Sequence, residues 1–103
     1  MLPDEAIGQF ESQVTELEEV ILTQGFSESE FSAKLRVSPN LANSKQATCG
    51  VLYQMIELVA GQIEFMQKFQ AQYPDDPRID GLLKRHAASG MKLKLLYDFV
   101  DVY

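Results

Sequence analysis

The chain has 103 residues, 46% of them hydrophobic and 23% charged, a net charge of −6 and a single cysteine. That apolar content offsets the entropy of ordering one core, which excludes wholesale disorder and leaves no room for a second core. The lone Cys49 excludes an internal disulfide, and no apolar run approaches the roughly 20 residues that span a bilayer. The expectation is a single domain over residues 1–103, cytoplasmic, because Met1-Leu2-Pro3-Asp4-Glu5 lacks the basic stretch and apolar core of a signal peptide.

The charge is laid out unevenly. Asp4, Glu5, Glu11, Glu16, Glu18, Glu19, Glu28 and Glu30 precede the first Lys or Arg, and all 9 basic residues follow. Such an acidic front repels nucleic acid and favours approach to a basic surface.

The first helix is expected from Pro3 to Gln24. Pro3 suits an early helical position, Asp4 and Glu5 face the positive end of the helix dipole, and Gly25 supplies a left-handed exit. Ile7, Phe10, Val14, Leu17 and Ile21 recur at three- and four-residue steps, a coiled-coil-like seam made to lie along another helix. Ser27 then reads as the cap of a short helix, with Glu30 completing a capping box and Phe26 and Phe31 forming a hydrophobic staple. Pro39 ends that helix near Arg36 or Val37, and Ser38-Pro39 begins another turn over Asn40 to Asn43.

From Lys45 to Gln72 the pattern is helical with two adjoining apolar stripes. Leu52, Ile56, Val59, Ile63 and Met66 form one; Val51, Met55, Leu58, Phe65 and Phe69 form the other. A helix apolar over two stripes is expected at the centre of a bundle. Tyr73-Pro74-Asp75-Asp76-Pro77 is a turn with a restart, Asp76 as cap and Pro77 at the first helical position. The last helix runs to Val100 with Ile79, Leu82, Leu83, His86, Leu93, Leu96, Tyr97 and Val100 facing inward. So short a turn makes the last two helices antiparallel neighbours. Folding back about Asp75 sets Gly61 opposite Ser89 and Ala60-Gly61 against Ala87-Ala88-Ser89-Gly90, where small residues predict a close crossing, a kink at Ser89-Gly90 being the alternative. It also brings Glu64 near His86 and Cys49 near residue 101.

Candidate chemistry is sparse. His86 has no second His or Cys at ligand spacing, so neither a metal site nor a catalytic dyad is assigned, and a buried His86–Glu64 hydrogen bond is the expected role. Cys49 reads as a structural thiol, and no phosphate loop or nucleophile elbow is present. No catalytic residue, metal or cofactor is therefore assigned.

One segment carries a local resemblance. Phe31-Ser32-Ala33-Lys34-Leu35-Arg36-Val37-Ser38-Pro39-Asn40-Leu41-Ala42 resembles the helix-turn-helix pattern of bacterial regulators, with Val37 plugging the turn. The resemblance implies a DNA-binding regulator using residues 27–46, with Asn40, Asn43, Lys45 and Gln46 facing the groove. The alternative for this segment is a helical corner that covers one end of the bundle.

The sequence thus predicts an all-α protein, a small antiparallel helical bundle of three long helices and one short one. The favoured function is a non-enzymatic interaction module, an adaptor, subunit or inhibitor, that binds a protein partner, itself basic or nucleic-acid-binding. Met55, Phe65, Met66 and Phe69 are the expected anchors, and Glu11 and Glu18 the steering charges. If the first and fourth helices do not cover the third, a homodimer completing a larger bundle is expected.

Overall fold

A computed structural model describes residues 3–103 and shows four helices, α1 (Pro3–Thr23), α2 (Glu28–Arg36), α3 (Leu41–Gln72) and α4 (Arg78–Asp101), with no strand among the described residues. The all-α antiparallel bundle expected from periodicity is the fold found. It is elongated, 52 × 21 × 18 Å, because the 32-residue α3 and the 24-residue α4 lie side by side.

The helix ends follow local chemistry. α1 stops where Gly25 takes φ +78, a left-handed conformation that costs glycine little. Ser27 Oγ accepts the Glu30 backbone N–H at 3.2 Å, and the Phe26 and Phe31 rings meet edge to face at 5.8 Å, so the cap and staple both form. At α3 the cap is Asn40 rather than Ser38. Asn40 Oδ1 accepts the Asn43 N–H at 3.1 Å, and the turn after Pro39 joins α3 without a break. Ser38 instead hydrogen-bonds Ser44 and the Asn40 carbonyl. At α4, Asp76 Oδ1 accepts the Arg78 N–H at 3.0 Å across Pro77, whose φ of −75 is already helical.

Two apolar clusters make the core. Near the α3–α4 turn, Ile7, Phe10 and Val14 of α1 meet Met66 and Phe69 of α3 and Ile79 and Leu82 of α4. At the other end, Ile21 and the α2 residues Phe31 and Leu35 close over Leu52, Val59, Leu93, Leu96 and Val100. Each fully buried side chain of this kind contributes about 1.5–3 kcal/mol relative to exposure. His86, fully buried, lies along α4 between the two clusters.

Two expectations about packing are corrected. α4, not α3, is the hub, since it packs against α1, α2 and α3 while much of the second stripe of α3 stays open. The close approach does involve Gly90, but its partner is Val59 rather than Gly61. A Cβ on Gly90 would come within 3.1 Å of Val59 Cγ1, whereas a Cβ on Gly61 would meet nothing within 4 Å. Gly61, Ala60, Ala87 and Ala88 are all exposed, so the contact is glycine against valine rather than small against small. Gly90→Val is expected to destabilise the protein by about 1–3 kcal/mol through overpacking. Adding Val59→Ala should recover part of that loss, and urea unfolding midpoints of the two variants check it.

Candidate docking groove

α1 lies over α4 and leans away from α3. Two ion pairs hold it there. Arg85 donates to Glu18 from Nε at 3.2 Å and again from its terminal nitrogen, and Arg78 reaches Asp4 at 3.0 Å while also holding Asp76 at 2.7 Å. The Arg85 hydrogen bonds hold the Glu18 carboxyl below its ordinary range, and the Arg78 hydrogen bonds do the same for Asp76. Pairs this exposed contribute little stability each, and the burial of Ile7, Phe10 and Val14 carries most of the attachment of α1.

The lean leaves an open groove between α1 and α3. Gln13, Glu16, Leu17 and Val20 form one wall; Met55, Leu58, Gln62 and Phe65 form the other. On this face of α3, Leu58 and Phe65 in the wall and Val51 beyond its end recur every seven residues and are 62%, 56% and 55% exposed. Phe65 is anchored at the groove's end by an edge-to-face contact with Phe10 at 5.9 Å. Glu16 and Glu57 stand exposed at the rim.

Beneath the groove lies the one buried histidine. His86 Nε2–H donates to Gln62 Oε1 at 2.6 Å, so the expected Glu64 partner is replaced by Gln62, and Glu64 pairs with Lys68 on the surface instead. The imidazole Nδ1 is buried without a partner among the described residues. Burial pushes the His86 pKa below its ordinary value, opposed by the Glu18 charge. Protonation would place a donor on Nδ1 with nothing to accept it, which suits His86 to structure rather than to proton transfer.

The expected anchors divide. Met55 and Phe65 line the groove, but Met66 is fully buried and Phe69 nearly so, packed on Phe10 and Tyr73. These two are core residues, closed to a partner because the first turns of α1 cover them. Leu58, Leu17 and Val20 line the groove instead, and the seven-residue spacing of Leu58 and Phe65 in the second stripe was the available signal. Glu11 is exposed, whereas Glu18 is tied to Arg85. Of the helix-turn-helix residues, Asn40 is engaged as a cap, Asn43 and Gln46 are exposed and Lys45 is half-buried. Val37, expected to plug the turn, is the C-cap of α2 and is 80% exposed. Cys49 does lie near Asp101, beside Tyr53 and Tyr97, and burial followed by the Asp101 charge pushes its thiol pKa up. Among the described residues no three His, Cys, Asp or Glu side chains gather as a metal site would require, and no helix is long and apolar enough to cross a membrane.

No protein-family model, curated protein or solved structure matches this chain.

A pH dependence follows from His86. Its pKa is 6.5 unfolded and lower when folded, so the unfolded chain binds the extra proton first and stability falls as pH drops below 6.5. The slope cannot exceed about 1.4 kcal/mol per pH unit for one group. Glu18, lowered from 4.5, adds a separate loss that begins only at more acid pH. Urea unfolding at pH 7.5 and 5.5 should show the first loss in the parent chain and a smaller one in His86→Leu.

Proposed function

We propose that this chain is a small cytoplasmic protein-interaction module, without catalytic activity, whose α1–α3 groove receives an amphipathic helix. The observation that carries the reading is the row Val51, Leu58 and Phe65, heptad-spaced and each more than half exposed beside a continuous core stripe. A large side chain in water at every second turn has a cost that a docked helix removes, at about 25 cal/mol for each Å² of apolar surface covered. Leu58 and Phe65 serve as the anchors, Met55 adapts its flexible thioether to the partner's shape, and the polar rim fixes orientation. Glu16 and Glu57, with free acids of α1 such as Glu11, select a helix flanked by Lys or Arg. Docked in this way, the chain acts as an adaptor, subunit or inhibitor according to what the bound helix belongs to.

Leu58→Asp and Phe65→Asp are expected to fold, since both positions are open, and to lose binding by tenfold or more, on the order of the 1.4 kcal/mol that a factor of ten represents. Affinity capture with tagged parent and variant proteins, with and without nuclease, reads the difference. A stoichiometric polypeptide kept through nuclease and lost in both variants is the expected result. Capture of DNA that depends on Asn43 and Lys45 and ignores Leu58 would overturn the groove reading in favour of the helix-turn-helix one.

A further inference from the structure

The groove has a counterpart on the far side of the same molecule. Met91, Leu95 and Val102 of α4 and its last turn are 57%, 56% and 81% exposed, on the helix side opposite the buried stripe of Leu93, Leu96 and Val100. Read from the C-terminal end, Val102, Asp98, Leu95, Met91 and Ala88 follow alternating steps of four and three residues. On α3, Val51 and the groove-wall residues Met55, Leu58, Gln62 and Phe65 follow the same steps in the forward direction. Both rows therefore run about 21 Å along a helix. Laid antiparallel, they set Leu95 against Leu58 and the small Ala88 against the large Phe65.

The charges are complementary as well. α1 carries six acids and no base, a net −6, while α4 carries a net +2 with Lys84, Lys92 and Lys94 exposed around its outward face. Lys92 and Lys94 stand outside the ion pairs among the described residues. Symmetric pairings waste this arrangement. Groove on groove confronts Glu16 and Glu57 with their own copies, and face on face confronts Lys84, Lys92 and Lys94 with theirs. Only groove on face brings unlike charges and unlike sizes together. We propose that the occupant of the groove is the outward face of α4 from a second copy, so that the chain self-associates head to tail; this rests on the groove being the docking site argued above. Asp98, the one charge in the α4 row, falls opposite Met55 at some cost in stability.

A head-to-tail contact uses two different patches of each molecule, which gives it a signature that a symmetric dimer lacks. Light scattering on size-exclusion eluates, from low to high micromolar protein, should show the parent chain growing beyond a dimer with concentration. Leu58→Asp blocks the groove and Leu95→Asp blocks the face, so each variant alone should be monomeric with parent-like helical circular dichroism. Mixed, each supplies what the other lacks, and an equimolar heterodimer that grows no further is expected. A parent chain that stays monomeric throughout overturns the proposal, as does association left intact by Leu95→Asp or a mixture that stays monomeric. If the parent is monomeric yet Leu58→Asp abolishes capture of another polypeptide, the groove stands and only its assignment to a second copy falls. If Leu58→Asp changes neither measurement, both fall.

Discussion

The antiparallel pairing of α3 and α4 is the constraint on which the rest of this structure depends. Five residues, Tyr73 to Pro77, reverse the chain, and Asp76 with Pro77 starts α4 at a fixed angle by capping Arg78. From there the two helices have little freedom. Gly90 lets them approach at Val59, and beyond that crossing Leu52, Leu93, Leu96 and Val100 interlock. α2 serves as a lid on the end of this pair, with Phe31 and Leu35 turned inward and the Tyr103 hydroxyl donating to the Ser32 carbonyl at 3.5 Å.

α1 is added to that pair from one side. Its seam, Ile7, Phe10, Val14 and Ile21, is buried as a three-helix bundle requires, yet α1 is off centre, drawn toward α4 by Arg78 and Arg85. The displacement decides what the molecule presents. The second α3 stripe is core at Phe69, where the Phe10 ring packs on it, and open at Leu58, where Leu17 and Val20 leave a groove. Two features of opposite apparent purpose, a satisfied core and an unsatisfied groove, thus come from one helix lying closer to one neighbour than to the other.

That lateral shift also marks the limit of what the residues reveal by themselves. Capping at Ser27, the staple of Phe26 and Phe31, the restart at Asp76-Pro77 and the inward face of α4 were legible because each depends on neighbours within one helical turn. The division of the second α3 stripe into core Phe69 and open Leu58 and Phe65 was not, because it depends on where a helix some 50 residues away comes to rest. Register shows the same divide. Beside His86 the pairing is two residues off a fold about Asp75, which exchanges Glu64 for Gln62, and at Gly90 the opposing residue is Val59 rather than Ala60 or Gly61. Cys49 and Asp101 still meet as that fold requires. Val37 illustrates a different failure. The helix-turn-helix resemblance placed it beneath the turn, but it is the C-cap of α2, past the last helical residue, and stays in solvent.

The way α1 is attached has a consequence for the order in which the molecule comes apart. α3 and α4 are joined by a short turn, whereas the contacts of Glu18 with Arg85 and Asp4 with Arg78 close loops of 67 and 74 residues. Contacts that close long loops form after local ones, and elements held by them are the first to open under native conditions. α1 is therefore the movable wall of the groove and the α3–α4 hairpin its fixed one. A helix seated between them touches both walls and holds α1 down. Occupancy of the groove and stability of the whole bundle are then linked, each rising with the other.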